Sequence, residues 1–476
     1  MLIKLDCVDL ERPNSMVQYE FCTKTHQVML NGVRQSFEEC KKDPRLSYHE
    51  PVMAFASNVN FQRFPNKTFR DANIQDYSLQ PEITPYSQEN PLIGKSRTIS
   101  KLSIQLGLAC NYQCKYCLQA QNRADAIKVP SKEEIDAFLL KFREAGIHLD
   151  PNAMVDLWGG EPLVYWKALK SLVPQLRAMF GEKIRLSLFT NGVLLTDEIT
   201  DFLIKYRVQV HISHDGPGFA LRDKTNPLFD KETKEKWLNL HEKSRLAGVP
   251  MSFFAVLHQG NCDLFELRGY FDKYFSPHVH LDFGGAASET ENLHEESIID
   301  EEQANVLRWS MLRAVVTEPG KWPGLERRVF NLMGRLVHQI PPGGIRYHCN
   351  AVDESVLCVD IQGNILSCQN RSASTHKIGS LTEYEAIKNP FFTHWKLRPD
   401  CADCLVLGAC KGGCPDISDQ AMARCCVNDW AFHYGVFTVA WFLLTGTIIQ
   451  RIDPLPKFLL RRQKVVPIHK ENEKGE

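Results

Sequence analysis

The sequence predicts an α/β fold, a partial (β/α)6 TIM-like barrel followed by a small cysteine-rich domain, and three observations point to it. From Thr98 short apolar stretches alternate with amphipathic helical ones, the pattern of βα units around a parallel sheet. The residues that interrupt this pattern fall just after the strands, where parallel α/β barrels build their active sites. Sixteen cysteines in 476 residues include two tight groups, one behind the first strand and one toward the C-terminus.

Residues 1–97 show no clear periodicity and contain turn-rich pieces such as Arg12-Pro13-Asn14 and Pro65-Asn66, so they read as a small irregular region. The first strand spans 99–108 and delivers Cys110, Cys114 and Cys117 from its carboxyl end. Ser131 with Glu134 forms a capping box, and Ile135, Phe138, Leu139 and Phe142 follow on one helical stripe. Further strands are expected at 154–158, 184–189, 208–213, 251–257 and 279–283, with helices near 166–180, 196–206, 231–247 and 263–275. Helix is expected over 301–337, and Pro341-Pro342-Gly343-Gly344 breaks the chain. The resulting divisions are 1–97, a barrel at 98–300, a helical linker at 301–345, the cysteine-rich domain at 346–430, and a helix with a basic tail at 431–476.

Lys+Arg 56 against Asp+Glu 57 gives a formal net charge of -1, which removes any electrostatic reason to expect nucleic acid as a partner. The apolar run at 436–449 is interrupted by Thr and Gly and is shorter than the ~20 residues of a membrane span, so it reads as a packed helix. Residues 1–9 carry charge too early for a signal peptide. A cytoplasmic location with reduced thiols follows, and clustered thiols there favour metal over disulfides. The basic stretch 457–462 reads as a solvated helix face, with a membrane or an acidic peptide as the other reading.

Cys110, Cys114 and Cys117 read C-x3-C-x2-C, a triplet that chance would place with an expectation of about 0.02. Three thiolates leave one corner of a four-iron cluster open, whereas a closed cluster takes four cysteines and a zinc site takes two paired halves. A trio of buried thiols or half a zinc site is the competing reading. Gly159-Gly160-Glu161-Pro162 follows the second strand; glycines permit close backbone approach to a ligand, and a carboxylate can accept from an ammonium. Thr190-Asn191-Gly192 and Ser213-His214-Asp215-Gly216-Pro217 follow the third and fourth strands and are also ordinary turn sequences. The second group is Cys401-x2-Cys404-x5-Cys410-x3-Cys414, preceded by Cys349 and Gly363-x4-Cys368 and followed by Cys425-Cys426. Zinc in the C-x2-C half competes with iron–sulfur there. Cys358 lies on an expected strand at 356–361 and is either a ligand or a packed apolar residue, while Cys7, Cys22, Cys40 and Cys262 fit no cluster spacing.

Together these motifs resemble the radical S-adenosylmethionine (radical SAM) enzymes, and the C-terminal cysteines resemble the SPASM auxiliary iron–sulfur domain, over roughly 98–430. The resemblance implies that Cys110, Cys114 and Cys117 hold a [4Fe-4S] cluster whose open iron binds S-adenosylmethionine. It puts Tyr116 beside the adenine, Gly159, Gly160, Glu161 and Pro162 at the methionine end, and Asn191 and Ser213 near the ribose and carboxylate. His214 stands where the family has an apolar residue, which suggests either substrate contact or a hydrogen-bonded structural role. Two auxiliary clusters are implied, making three [4Fe-4S] clusters. One takes Cys349, Cys368 and Cys414, with Cys358 as a candidate fourth; the other takes Cys401, Cys404 and Cys410 with Cys425, preferred over Cys426 although spacing does not separate them.

The implied chemistry is cleavage of S-adenosylmethionine to a 5′-deoxyadenosyl radical that abstracts hydrogen from an unactivated carbon. Enzymes with this C-terminal domain mostly resemble RiPP maturases, so the expected function is crosslinking or oxidation of side chains in a ribosomally made precursor peptide. An external one-electron reductant of the flavodoxin or ferredoxin type is the second expected partner. Residues 1–97 are a candidate peptide-docking region through strand addition, without a winged-helix pattern. Sulfatase maturation, or another SPASM oxidoreductase reaction, is the alternative. In the sulfatase-maturing subfamily an Asp follows the cysteine of G-x4-C as the base, whereas Gln369 and Asn370 follow Cys368 here. A non-catalytic iron–sulfur carrier would need no cofactor-binding turn such as Gly159 to Pro162. No spacing identifies a catalytic base; Asp215, Asp282 and Glu289 are carboxylates near strand ends.

Overall fold

A computed structural model describes residues 2–9, 12–35, 94–120, 128–276, 279–285, 295–340, 342, 353–389, 395–398, 400–415 and 417–455, and two sheets organise them. The first joins both ends of the described chain. Strands β1 (Leu2–Asp9), β2 (Arg12–Cys22), β3 (Val28–Leu30) and β4 (Val33–Gln35) lie antiparallel, and the last strand, β14 (Thr447–Asp453), pairs with the outer side of β1. The N-terminal part of 1–97 is therefore a sheet rather than irregular chain, and Arg12-Pro13-Asn14 opens a strand instead of forming a turn. The signal is the alternation of buried Ile3, Leu5 and Cys7 with polar neighbours. That face rests on helix α8 (Asp419–Thr445), where Tyr19 meets Trp441 edge-on at 5.2 Å and Phe21 meets Phe437 at 5.4 Å. Gly446, with φ 71°, ends α8, so the apolar run at 436–449 divides between a helix and a strand. Pro65-Asn66, Cys40 and 457–462 lie outside the described residues.

The second sheet is the barrel. Strands β5 (Thr98–Gln105), β6 (His148–Trp158), β7 (Arg185–Thr190), β8 (Val208–Ser213), β9 (Met251–Leu257) and β10 (His280–Gly285) run parallel and adjacent in sequence order. Helices α1 (Lys132–Glu144), α2 (Trp166–Phe180), α3 (Asp197–Lys205), α4 (Lys231–Ala247) and α5 (Leu264–Asp272) connect them. Both halves of the Ser131–Glu134 capping box are formed. Outward-facing strand residues such as Ile104, Leu157, Leu188, Ile212 and Ala255 are fully buried in the hydrophobic core. The opposite face is polar and aromatic. At its floor Lys101 Nζ stands 3.0 Å from Asp156 Oδ2 in an ion pair.

The expected single helix over 301–337 is two, α6 (Glu301–Thr317) and α7 (Pro323–Val337), because Gly320 turns at φ 81° and Pro323 starts a new helix. The sheet also continues past β5. Strand β11 (Val356–Asp360) pairs parallel with β5, and β12 (Asn364–Leu366) and β13 (Lys377–Ser380) extend it antiparallel. The cysteine-rich segment thus enters through the barrel's own sheet, with Cys358 paired opposite Ser103.

Candidate active site

The turns after β5, β6 and β7 are laced together at their carboxyl ends. Gly160 N–H donates to Gly107 O at 3.0 Å, and Glu161 N–H to Ala109 O at 2.9 Å. A Cβ on Gly160 would stand 2.4 Å from the Ala109 carbonyl oxygen, and one on Gly159 2.6 Å from that of Gly107. The two glycines are required by the approach of the cysteine loop itself. Tyr165 braces the same stretch by accepting the Ala109 N–H at 2.8 Å. Glu161 is buried, and its carboxylate accepts from Leu163 N–H (2.9 Å), the Thr190 hydroxyl (2.6 Å) and Asn191 N–H (2.7 Å). Three of its roughly four acceptor positions are thereby used. Burial pushes its pKa up against those three bonds. The Asn191 amide donates to Asn111 Oδ1 at 2.7 Å, tying the third turn to the loop between Cys110 and Cys114.

Cys110, Cys114 and Cys117 are half-buried on that loop. Burial pushes the Cys114 thiol up to about 12; Arg222 pulls it back, and Cys117 and Cys110 push it further, so the three sulfurs feel one another. Three thiols without an imidazole suit an iron–sulfur cluster, whose usual ligands are thiolates. Tyr116, between the last two, is 6% exposed and donates its hydroxyl to Asp215 Oδ2. Asp215 is also held by Arg222 Nη2 at 2.9 Å and Val256 N–H at 2.8 Å, both on Oδ1. Ser213 lies half-buried at the end of β8. His214 has a structural role: Nδ1 accepts from Gly216 N–H at 2.9 Å, so Nε2 carries the proton and donates to Asn226 Oδ1 at 3.0 Å. Its ring stacks on Phe219 at 4.5 Å, and burial holds its pKa down at about 4. Arg222, Asn111 and Asn226 were invisible to sequence reasoning because they sit at no motif spacing and meet the site only through tertiary contact.

Below these turns the face of the strands opposite the helices is partly exposed at Trp158, Phe189, His211, Ser213, Phe254 and Asp282, between buried neighbours. Trp158 and Phe189 lie 4.9 Å apart, and Phe189 stacks on His211 at 4.5 Å. His211 is anchored through Nδ1 to the Ser252 hydroxyl at 2.6 Å. The result is an aromatic wall along the carboxyl ends of β6, β7 and β8.

Farther along, Cys401, Cys404, Cys410 and Cys426 line one pocket together with Met422 and Trp430. Burial raises the Cys426 thiol, and Cys404, Cys410 and Cys401 raise it further. Cys425, the expected ligand, is buried with Ile417, Ala421 and Met422, and Cys426, about 100° further round the helix, is the one of the two that lines the pocket. Four thiols are the ligand complement of a closed four-iron cluster. Cys414 packs against the Ile417 group, and Cys368 receives the Asn370 N–H at 3.5 Å. Cys358 is fully buried, and its charged neighbours are Asp360, Lys95, Lys101 and Asp156 at the barrel floor. Cys349 and Glu289 lie outside the described residues. After Cys368, Gln369 offers its carbonyl to the Gln105 amide at 2.9 Å.

Residues 104–263 match the Radical SAM superfamily. Over 207 residues the chain is 28% identical to the radical SAM cyclopropyl synthase TigE of Paramaledivibacter caminithermalis, which covers 40% of this chain and 44% of that one. Over 369 residues it is 26% identical to the serine-type anaerobic sulfatase-maturating enzyme of Klebsiella aerogenes, covering 69% of this chain and 83% of the relative. The chain therefore spans less than half of the cyclopropyl synthase and most of the maturase. Among solved structures, a histidine-tagged anSMEcpe with bound AdoMet superposes with a TM-score of 0.51 at 18% identity, over 73% of this chain and 94% of that one. That likeness concerns the fold.

Proposed function

From the match of residues 104–263 to the Radical SAM superfamily we propose that the chain is a radical SAM enzyme that modifies a side chain of a ribosomally synthesised peptide, by crosslinking or oxidation. The observation that carries this reading is the partly exposed aromatic wall of Trp158, Phe189 and His211, on the strands whose turns hold Glu161 and Asn191. A side chain reaching into such a wall is shielded from water on one side and held against the reacting face. When bound, the cluster and S-adenosylmethionine supply the 5′-deoxyadenosyl radical.

In this reading Cys110, Cys114 and Cys117 ligate the radical-generating cluster, and Gly159 to Pro162, Asn191 and Ser213 border S-adenosylmethionine. The remaining acceptor position of Glu161 suits its ammonium. Cys401, Cys404, Cys410 and Cys426 hold one auxiliary cluster. Cys349, Cys368 and Cys414 contribute to another, bringing the total to three, and the surroundings of Cys358 favour a packed role. A flavodoxin- or ferredoxin-type protein delivers the electron. Among the described residues no helix is long and apolar enough to cross a membrane; a reducing cytoplasm suits a chain with sixteen cysteines in clustered spacings.

A sulfatase-maturase-like role is the second reading, supported by the similarity to the Klebsiella enzyme. The two separate on substrate. Reconstituted protein is incubated with S-adenosylmethionine and either a peptide encoded beside its own gene or a sulfatase-derived serine or cysteine peptide. Mass change in the first alone supports the proposal; conversion of serine or cysteine to an aldehyde in the second alone transfers the assignment.

A further inference from the structure

We propose that Asp215 and Arg222 form a buried charge clamp that positions the loop bearing Cys110, Cys114 and Cys117 and biases the charge of the metal centre those thiolates hold. The inference rests on the reading of that loop as a cluster loop. Three independent ties join it to the segment after β8: Lys115 N–H donates to Leu221 O at 2.8 Å, the Tyr116 hydroxyl donates to Asp215, and the Arg222 guanidinium lies 5.5 Å over the Tyr116 ring. Asp215 is 0% and Arg222 8% exposed, so neither charge is relieved by water.

The pair is also fixed from behind. Val256 N–H and Arg222 Nη2 share Asp215 Oδ1, and Asn261 Nδ2 donates to the Asp215 carbonyl at 3.1 Å. His258 Nδ1 accepts from Gly260 N–H at 3.1 Å, so its proton sits on Nε2, 3.7 Å from Asp215 Oδ2 and without a hydrogen-bond partner. Among the described residues, the Asp215 carboxylate is met by the Tyr116 hydroxyl, the Arg222 guanidinium, the Val256 N–H and the His258 ring, each a donor or a cation. Removing one member of such a pair leaves the other charge buried and uncompensated. Iron–sulfur potentials respond to nearby charge and burial, and this buried pair is tied through Tyr116 and Lys115 to the loop between Cys114 and Cys117. Arg222 is a positioning residue in this account, with an electrostatic consequence.

The test is an anaerobic redox titration of the full-length reconstituted protein, following the cluster signal that changes on adding S-adenosylmethionine. At a fixed potential, Arg222→Gln lowers the reduced-to-oxidised ratio on the order of tenfold and Asp215→Asn raises it by a similar factor. Arg222→Lys stays near the parent, and the double variant Asp215→Asn with Arg222→Gln returns toward it. Single variants that leave the ratio unchanged, or that move it in the same direction, overturn the proposal. If Arg222→Gln fails to load iron, Asp215→Asn and Arg222→Lys decide it by the same criteria. Absence in the parent of any signal responsive to S-adenosylmethionine would overturn the underlying cluster reading instead.

Discussion

Glu161 accepts the backbone N–H of Asn191 at 2.7 Å and so joins the turn after the second barrel strand to the turn after the third. With the Thr190 hydroxyl on its other oxygen, this buried carboxylate is a strut for the site before it is a ligand. Glu161→Gln exchanges one acceptor oxygen for an amide donor facing donors. A stability loss of about 1–3 kcal/mol is expected, with weakened S-adenosylmethionine binding. Chemical denaturation of anaerobic protein and equilibrium dialysis check both.

Gly160→Ala places a methyl carbon 2.4 Å from a backbone oxygen that has no free rotation to escape. Iron loading at the N-terminal site should fall sharply, because the loop to Cys110 must move. Gly269, on helix α5, has nothing within 4 Å of the same added carbon. Gly269→Ala should leave loading intact and stabilise by up to about 1 kcal/mol.

Cys426→Ser should remove about four irons per chain, one cluster's complement, while Cys425→Ser should leave the iron content unchanged. Colorimetric iron analysis of the two reconstituted variants separates them. Equal losses would mean that both neighbours serve the cavity.

Trp441 is fully buried where the terminal sheet meets α8. Trp441→Ala should cost about 3–5 kcal/mol, read as a lower denaturant midpoint, and should loosen β1 and β14 together in hydrogen exchange.

His214 resists protonation when folded, its pKa held at about 4 against the ordinary 6.5. The unfolded chain takes up the proton first, so this contribution to stability is complete above pH 6.5 and is lost as pH falls from 6.5 toward 4. The loss is on the order of 3 kcal/mol. Thermal melts should fall between pH 7 and 5, and His214→Gln should flatten that slope.

The barrel was legible because its strands are apolar on one face and its helices carry single stripes: α2 and α4 fall at 166–180 and 231–247 as read from periodicity. The terminal sheet was not, because β1 finds its partner β14 more than 400 residues away, and pairing of that kind leaves no local trace. The cysteine spacings identified which thiols to watch. They did not orient Cys425 and Cys426, since only the packing of α8 decides which side of a helix faces a cavity. The Asp215–Arg222 pair was equally hidden, as neither residue type nor a separation of seven positions marks a buried ion pair in a loop.

The most direct test of the central claim is anaerobic incubation of the reconstituted full-length protein with dithionite and S-adenosylmethionine. The account predicts 5′-deoxyadenosine from the parent and none from Cys114→Ala. No product from the parent with its iron fully loaded, or undiminished product from Cys114→Ala, would contradict it.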